Sequence, residues 1–351
     1  MIRVGLVGFG LGGRVFHAPV ISSVEGLELA AIVERSTDQA AERYPGVTIC
    51  RTVDELLADS SIKLIVVSSP NATHYDIALQ ALEAARNVVI DKPVAVSSSE
   101  IRQLLELADA VGLHCIPFHN CRWDSDFRTV QKVVHEKPLG HLVHFESNKD
   151  RWRPGATRRP WKEEPEQGGI LLDLGTHLVD QALTLFGPPE SVGAEVRRER
   201  DGEGANDSFT IRLHYFTGLS VTLSSNLLSS LARPRFHLRG TKGNYWKWGI
   251  DPQEEALGKV TRIDDPNWGK EPADQWGTLA IDADGAVATQ TVESIPGDYR
   301  IFYEGARDTL LGKGPAPVAA IDAWRTARVL ECAIESSKTH RDIECDWSSE
   351  P

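Results

Sequence analysis

The stretch I-R-V-G-L-V-G-F-G-L-G-G, residues 2–13, decides the fold of this chain. Its apolar run Ile2–Val7 is typical of a buried strand, and it leads directly into a G-x-G-x-x-G turn before a predicted helix. Gly8 permits a tight turn, Gly10 lets a pyrophosphate approach the backbone, and Gly13 lets the helix pack closely on the strand. A helix N-terminus also favours the charge of a pyrophosphate. This context predicts a dinucleotide-binding turn rather than a merely structural one.

The next strand bears on which dinucleotide binds. The apolar run Leu27–Val33 ends in Glu34, twenty-one residues after Gly13. An acid at this position can accept hydrogen bonds from the adenosine ribose and repels a 2′-phosphate, which favours NAD over NADP. Arg35 follows immediately and could pair with that phosphate, so NADP stays open as the alternative.

Strands and helices alternate as far as about residue 120. Helices are predicted over residues 12–23, 36–44, 73–85 and 99–111, with one more opening at the capping box 52–55. Further strands are predicted at Leu64–Ser68, Val88–Ile90 and Leu113–Pro117. This repetition indicates a parallel, doubly wound sheet, in which ligands bind beyond the carboxyl ends of the strands. Ser68–His74 and Asp91–Pro93 both follow such ends. Pro19 conflicts with the first helix, since proline inside a helix costs about 3 kcal/mol.

Beyond residue 120 the pattern changes to longer strands separated by glycine-rich and charged turns. These strands are predicted at Leu142–Asn148, Ser191–Arg198, Phe209–Tyr215, Ser220–Leu228 and Phe236–Arg239. A helix over Gly169–Phe186 covers one face of this mostly antiparallel sheet, and helices near 303–311 and 318–337 close the chain. No elements are predicted within residues 251–298. We therefore expect a Rossmann domain over residues 1–120 and an α+β domain over residues 121–351.

The segment Q-G-G-I-L-L-D-L-G-T-H-L-V-D, residues 167–180, places polar side chains along one face of an otherwise apolar helix. Asp173 and His177 are four residues apart, Asp180 is three further along, and Thr184 is four beyond that. A carboxylate one turn from an imidazole can orient it and set its pKa, as a general base requires. The alternative is a hydrogen-bonded Asp–His pair in the core, because structural networks bury such groups as well.

Composition and charge exclude several classes of protein. The chain has 351 residues and a formal net charge of -12, which argues against non-specific binding to nucleic acid or to an anionic membrane. No apolar run is long enough to span a bilayer, and the first residues lack the sections of a signal peptide. The five cysteines are scattered without a C-x-x-C pair. We therefore expect free thiols, no metal site and a cytoplasmic location.

Five segments, taken in order, carry a resemblance to a known family. They read G-F-G-L-G-G-R-V-F-H-A-P, S-S-P-N-A-T-H, D-K-P, F-H-N-C-R-W-D-S-D-F and G-G-I-L-L-D-L-G-T-H. Across nearly the whole chain they resemble the glucose–fructose oxidoreductase / inositol dehydrogenase / rhizopine catabolism (Gfo/Idh/MocA) family. R-W-R-P, G-P-P and W-G-I-D-P-Q-E add a resemblance to its scyllo-inositol 2-dehydrogenase branch. The resemblance implies a Rossmann domain, a second domain with a large open sheet that binds substrate, and homodimers or homotetramers formed through that sheet.

The resemblance also implies roles for particular residues. Lys92 matches a lysine placed near the nicotinamide and the reacting hydroxyl, although the family more often has E-K-P where Asp91 stands here. Asp173 and His177 match the family's substrate-orienting aspartate and acid/base histidine. The family's P-N-x-x-H turn lies beside the cofactor, and the residues expected there are Ser69, Pro70, Asn71 and His74.

Substrate contacts are expected from Asn120, Arg122 and Arg153, together with Asp173 and His177. Arginine-rich clusters are as often packing or interface residues, which is the alternative for each. The features together predict an NAD(P)-dependent dehydrogenase that moves hydride between a nicotinamide and a secondary hydroxyl or ketone. The substrate is a cyclic polyol or sugar, with a scyllo-inositol-like ring favoured by the resemblance. Whether His177 or Lys92 is the base stays open.

Two other functions are compatible with the same fold. One is a non-catalytic regulator that senses a dinucleotide or a sugar, because fold alone does not fix function. The other is a different reduction on this scaffold, such as that of an imine or biliverdin. The joint presence of Lys92, Asp173 and His177 favours the dehydrogenase, since a sensor does not require all three.

Overall fold

Two β-sheets organise the chain, one formed from each half of the sequence. The computed structural model describes residues 1–155, 163–164, 168–259, 263–283 and 285–351. Gln167, the first residue of the helix predicted over 167–180, lies outside the described residues. Within these ranges no helix combines the length and the apolar surface that crossing a bilayer would require.

The first sheet has six parallel strands in the order β3-β2-β1-β4-β5-β6. They are β1 (Ile2–Val7), β2 (Leu27–Val33), β3 (Thr48–Cys50), β4 (Ile62–Val67), β5 (Asn87–Asp91) and β6 (Cys115–Phe118). Its helices are α1 (Ala18–Ser23), α2 (Gln39–Arg43), α3 (Val53–Leu57), α4 (His74–Glu83) and α5 (Ser98–Ala110). The strand order reverses between β1 and β4, which is the switch point of a Rossmann fold. The predicted doubly wound parallel sheet is confirmed.

The conflict at Pro19 is resolved by a change of helix type. Residues Gly12–His17 form a π-helical turn, and the α-helix begins only at Ala18. Pro19 therefore lies in the first turn of α1. The π-helical turn runs directly into α1, where the preceding Ala18 donates its N–H to the carbonyl oxygen of Gly13, so the change of helix type falls immediately before the residue that has no N–H to donate.

The second sheet has nine strands in the order β14-β13-β12-β11-β7-β10-β9-β8-β15. They are β7 (Leu142–Asn148), β8 (Ser191–Arg197), β9 (Ser208–His214), β10 (Ser220–Asn226), β11 (Phe236–Gly240), β12 (Gly243–Lys247), β13 (Gly277–Ala283), β14 (Ala286–Val292) and β15 (Ile343–Glu344). Neighbouring strands are antiparallel except for β7 and β10, which confirms the mostly antiparallel sheet. Sequence analysis missed β12 to β15. The edge strand β14 is exposed at nearly every residue, so it lacks the alternation that identifies a half-buried strand.

The helices of the second half cover one face of this sheet and reach back to the first. They are α6 (Ser125–Glu136), α7 (Thr176–Phe186), α8 (Gln253–Gly258), α9 (Arg300–Leu310) and α10 (Ala320–Thr339). Sequence analysis missed α6, although the spacing of the buried Phe127, Val130 and Val133 is that of a helix face. A π-helical turn, Leu171–Gly175, precedes α7 where a continuous α-helix was expected.

The last two helices connect the two hydrophobic cores. Phe302 and Tyr303 of α9 are buried in the core of the first sheet. Trp324 of α10 packs with the opposite face of that sheet, whereas Val329 and Leu330, further along α10, pack in the core of the second sheet. The end of the chain therefore completes both cores, and the division at residue 120 stays a prediction.

We expect Gly13→Ala to destabilise the fold. A Cβ atom at Gly13 would lie 2.0 Å from the carbonyl oxygen of Gly8, so the strand–helix turn would have to shift. Such overpacking costs about 1–3 kcal/mol, to be measured as the free energy of unfolding in urea. Gly10→Ala is the matched control, because a Cβ atom at Gly10 meets nothing within 4 Å. Equal stabilities of the two variants would contradict this account of the turn.

Candidate functional site

A cavity of about 1400 Å³ lies at the carboxyl ends of the first sheet's strands. Its walls combine the glycine turn after β1, the turns after β4 and β5, and residues of the second half that include Lys149, Asp173 and His177. Ligand pockets are usually a few hundred to about 1,000 Å³, so this cavity is large enough for a dinucleotide and a small substrate together. The switch point of a Rossmann sheet is also where such ligands bind.

The glycine turn fits a pyrophosphate. Gly8 has φ +98°, and a Cβ atom there would lie 2.4 Å from the carbonyl oxygen of Ser68, so only glycine is accommodated. Gly10, by contrast, faces open space in the cavity, where a side chain would meet no protein atom. The protein itself therefore does not require glycine at residue 10, whereas a closely approaching ligand would.

Glu34 lies on the cavity wall, but its carboxylate is already hydrogen-bonded within the protein. Its side chain is buried and turned to the start of α2, where it accepts hydrogen bonds from the N–H groups of Gln39 (3.2 Å) and Ala40 (3.0 Å) and from the Thr37 hydroxyl. The sequence-based argument for NAD assumed a carboxylate free to accept from the ribose, whereas in the structure its two oxygens already accept three hydrogen bonds within the protein. Helix N-terminal N–H groups attract a carboxylate strongly, which explains its inward orientation.

The residues beside Glu34 on the cavity wall are cationic or carry hydroxyl groups. Arg35, Ser36, Thr37 and Arg51 line this end of the cavity. Arg35 is exposed, and the guanidinium of Arg51 is held by Asp38 (2.6 Å) and by main-chain carbonyl oxygens. A cation and hydroxyl groups at the adenosine end can accommodate a 2′-phosphate.

The turn after β4 brings Ser69, Pro70, Asn71 and His74 to the cavity wall, as the resemblance implied. His74 is buried, and both ring nitrogens lie close to main-chain carbonyl oxygens, Nδ1 at 2.8 Å from Pro93 and Nε2 at 2.9 Å from Ser69. The imidazole thus connects the turn after β4 to the turn after β5. We interpret His74 as a residue that positions these two turns.

A buried network that sequence analysis missed lies beneath the turn after β5. Nδ1 of His17 is 2.6 Å from the Tyr303 hydroxyl, and its Nε2 is 3.4 Å from Oδ2 of Asp91. Asp91 also accepts hydrogen bonds from the Ser68 hydroxyl (3.2 Å) and the main-chain N–H of Lys92 (2.8 Å). Burial works to raise the pKa of Asp91, but His17 and the charge of Lys92 hold it at about 2. The shorter carboxylate of D-K-P is therefore a charged anchor of this turn.

Lys92 joins the two halves of the chain. Its ammonium donates hydrogen bonds to the carboxylate of Asp173 (2.8 Å) and to that residue's carbonyl oxygen (2.6 Å). Burial works to lower the pKa of Lys92, but attraction by Asp173 and Asp91 outweighs it and the pKa is raised. Lys92 therefore stays a cation at neutral pH. From the sequence, Asp173 was expected to orient either His177 or the substrate, and in the structure its carboxylate is paired with the lysine.

His177 has the opposite electrostatic setting. The side chain is buried on the cavity wall, and its Nδ1 atom has no hydrogen-bond partner among the described residues. Burial lowers the pKa of His177 well below its usual range, and the positive charge of Lys92 acts in the same direction. The imidazole is therefore neutral at neutral pH, with nitrogen atoms available to accept or pass on a proton.

The residues expected to contact substrate are only partly brought together. Asn120 and Arg153 line the cavity. Arg122 does not, because its guanidinium is held by Asp180 (2.6 and 2.9 Å) and Asp322 (2.9 Å). We therefore withdraw Arg122 from the expected substrate contacts. Asp180 is the partner of Arg122 in this ion pair. Of the two polar residues on α7, His177 therefore lines the cavity and Asp180 does not.

Several residues that line the cavity were not expected there from the sequence, among them Lys149, Glu254 and Tyr299. The Lys149 ammonium lies 3.6 Å from the Cys121 sulfur and 3.9 Å from Oδ2 of Asp124, whose other oxygen accepts a hydrogen bond from the Tyr299 hydroxyl. A signal was present for Lys149, Arg151 and Arg153, since every second residue after β7 is basic. None was present for Tyr299 and Glu254, which come from a region without predicted elements.

One group of residues could hold a metal ion, although sequence analysis expected no metal site. Among the residues that the structure describes, His144, Glu146 and His237 bring ligand atoms within 4.8 Å of one another. They lie on β7 and β11, and none of them lines the cavity. A metal there would therefore have no part in the chemistry of this site.

Comparison with known proteins agrees with the fold and the glycine turn. The model of an oxidoreductase family with an NAD-binding Rossmann fold matches residues 2–119, and that of the GFO/IDH/MocA C-terminal domain matches residues 127–246. Fold and cavity together define an oxidoreductase that binds NAD or NADP. The chain belongs to the Gfo/Idh/MocA family.

Relatives match almost the full length of the chain. Oxidoreductase YdgJ of Escherichia coli is 39% identical, covering 98% of each chain. The NADP-linked scyllo-inositol 2-dehydrogenase IolW of Bacillus subtilis is 30% identical, covering 97% of this chain and 95% of its own. Among solved structures, the oxidoreductase yvaA of Bacillus subtilis superimposes with a TM-score of 0.95 at 30% identity, covering 98% of both chains.

We expect Arg35→Ala to lower kcat/KM with NADP about tenfold or more and to leave kcat/KM with NAD unchanged. The reason is that a charge-assisted hydrogen bond to phosphate contributes about 1.5–3 kcal/mol. Steady-state kinetics with both cofactors measure this, and the wild type should prefer NADP.

Glu34→Gln tests the corrected role of Glu34. Because the carboxylate interacts with the start of α2, this variant should melt at a lower temperature without changing the NADP-to-NAD ratio. A shift of that ratio towards NADP would restore the sequence-based interpretation, as would a tenfold preference of the wild type for NAD.

Proposed function

We propose that this protein is an NAD(P)-dependent dehydrogenase acting on a secondary hydroxyl, or on the corresponding ketone, of a cyclic polyol or sugar. One observation supports it above all: a protonated lysine and a neutral, buried histidine lie together on the wall of a dinucleotide-sized cavity. Alcohol oxidation needs these two properties, a base for the hydroxyl proton and a cation for the oxygen.

The opposite pKa shifts support different roles for the two groups. His177, whose pKa is lowered, accepts the hydroxyl proton. Lys92, whose pKa is raised, remains charged and stabilises the negative charge that develops on the oxygen. Pairs of groups whose surroundings drive their pKa values apart are typical of acid–base sites. When bound, the nicotinamide supplies the hydride acceptor, and the protein contributes orientation and electrostatics.

Asp173 acts through the lysine. Its carboxylate and its carbonyl oxygen both accept from the Lys92 ammonium, which fixes that group at the cavity wall. Asp173 also lines the cavity, and its side chain is partly exposed there. We propose that its carboxylate accepts a hydrogen bond from a substrate hydroxyl as well. We propose Lys92 and His177 as the groups that touch the reacting atoms.

The polar lining favours a polyhydroxylated ring. Asn120, Lys149, Arg153 and Asp173 offer more hydrogen-bonding groups than a simple alcohol can satisfy. A site built for several hydroxyls rejects analogues that lack them, because its polar groups are then left unpaired. The similarity to IolW, a scyllo-inositol 2-dehydrogenase, supports a ring of this kind. We also propose assembly as a homodimer or homotetramer through the second sheet, on the strength of the family resemblance.

The alternative function is a non-catalytic regulator that senses a dinucleotide or a sugar. The relatives named above are oxidoreductases, so they give it no support. Full turnover on any polyol would exclude it directly.

The proposed substrate class is tested by turnover of scyllo-inositol, myo-inositol, glucose, galactose and cyclohexanol with each cofactor. We expect kcat/KM for at least one polyol to exceed that for cyclohexanol by about a hundredfold, because cyclohexanol leaves several buried polar groups unpaired. Equal rates on cyclohexanol and on every polyol would refute the assignment.

The pH dependence of alcohol oxidation is the second test. Because the pKa of His177 is lowered, the imidazole is in its proton-accepting form at every pH above that lowered value. Activity should therefore fall only when the pH drops through it, and the acid limb of kcat/KM should lie below pH 6.5, the ordinary histidine value. An acid limb at or above this value would contradict a neutral His177.

Variants complete that test. His177→Ala should lower kcat about a hundredfold or more, the usual effect of losing a positioned acid–base group. His214→Ala, on β9 and outside the cavity, is the matched control and should keep wild-type turnover. Unchanged turnover in His177→Ala would return this histidine to a role in packing alone.

A further inference from the structure

The segment that follows β7 places three cations along one wall of the cavity. Lys149, Arg151 and Arg153 donate their main-chain N–H groups to the carbonyl oxygens of Ser224 (3.1 Å), Asn226 (2.9 Å) and Leu227 (2.7 Å) respectively. The first two bonds continue the parallel pairing of β7 with β10, and beyond them Trp152 forms an isolated antiparallel bridge with Leu228. Alternate side chains of an extended segment point to opposite faces, so Lys149 and Arg151 share one face, and Arg153 lines the same cavity as they do.

The intervening residues confirm the alternation. Lys149, Arg151 and Arg153 line the cavity, whereas Asp150 and Trp152 do not. The carboxylate of Asp150 is bound by Arg233 at 2.7 and 2.9 Å, and Trp152 is exposed. The cavity therefore receives the positive charges of this segment and none of its negative charge.

The cavity's carboxylates do not neutralise all of these charges. Asp173 is paired with Lys92, and Glu163 is paired with Arg200 on the same wall. The Lys149 ammonium lies 3.9 Å from Oδ2 of Asp124. Neither Arg151 nor Arg153 forms an ion pair with a carboxylate of the described residues; Arg151 donates a long hydrogen bond, 3.4 Å, to the carbonyl oxygen of Asp150.

The two arginines are also close enough to repel each other. Burial lowers the pKa of Arg151, and the neighbouring charge of Arg153 lowers it further, against the opposing attraction of Glu254. Residues two apart on a strand lie about 6.5–7 Å apart, a spacing at which two guanidinium groups can converge on one oxyanion. Arginine pairs of this kind bind carboxylate or phosphate through paired hydrogen bonds.

We propose that Arg151 and Arg153 form a subsite for an anionic substituent of the substrate, a carboxylate or a phosphate ester. The proposal rests on the function proposed above, in which Lys92 and His177 act on a ring hydroxyl in the same cavity. The preferred substrate within the class proposed above is then a polyol or sugar that carries an acidic or phosphate group. Lys149, two residues before Arg151 on the same segment, contributes a third positive charge to the cavity.

The test measures binding to the enzyme–NADPH complex by titration calorimetry, which does not depend on turnover. The probes are glucose, glucuronate and glucose 6-phosphate, which share a ring and differ in charge. We expect glucuronate or glucose 6-phosphate to bind at least about tenfold more tightly than glucose. Added salt should lower the affinity for that anion and leave the affinity for glucose unchanged. Tighter binding of glucuronate would indicate a subsite for a carboxylate, and tighter binding of glucose 6-phosphate would indicate a subsite for a phosphate ester.

Three variants separate the subsite from packing. Arg151→Gln combined with Arg153→Gln should abolish the preference for the anion, while Arg151→Lys combined with Arg153→Lys should retain part of it. Arg239→Gln, an exposed arginine on β11 outside the cavity, is the matched control and should bind all probes as the wild type does. Affinity for NADPH, followed by fluorescence, should be the same in all of them.

Equal affinity for glucose and for both anions would overturn the proposal, as would an undiminished anion preference in the double glutamine variant. A parallel loss of NADPH affinity would overturn it too, because the arginines would then serve the cofactor. Failure of the proposed function has a different signature. Anion binding that depends on both arginines, with no turnover of any polyol, would leave the subsite in place and reject the dehydrogenase.

Discussion

The ion pair between Lys92 and Asp173 is the contact on which the site depends. Lys92 directly follows β5 of the first sheet, and Asp173 belongs to the π-helical turn before α7, so the pair fixes the two halves of the chain to each other at the cavity. It also sets the chemistry, because it keeps the lysine charged while burial and that same charge keep His177 neutral. A displaced pair would change the orientation of both proposed reacting groups at once.

Beneath this pair, adjacent residues of the D-K-P segment face in opposite directions. The carboxylate of Asp91 turns inward to His17 and Ser68, while Lys92 reaches across the cavity to Asp173. Tyr303, from the far end of the chain, closes the inner network through His17. His17 and Ser68 are both buried, so the turn that carries the lysine is anchored to the protein interior on its inner side.

Both halves of the chain approach the cavity through a π-helical turn, Gly12–His17 in the first and Leu171–Gly175 in the second. Such turns are rare and occur often at functional sites, because they redirect side chains that a regular helix would align. Here Asp173 lies in the π-helical turn itself, and His177 lies in the first turn of α7 directly after it. Asp173 and His177 line the cavity, whereas Asp180 pairs with Arg122 away from it.

The sequence by itself determined the doubly wound sheet, the glycine turn and the places of Lys92 and His177 on the cavity wall, because each follows from a local pattern at a strand end or on a helix. Only the tertiary structure decided that Glu34 faces α2, that Arg122 is bound by Asp180 and Asp322, and that Tyr303 reaches His17. These outcomes depend on which charged or polar group meets which other. Packing between residues far apart in the chain sets those encounters, and no local periodicity records them.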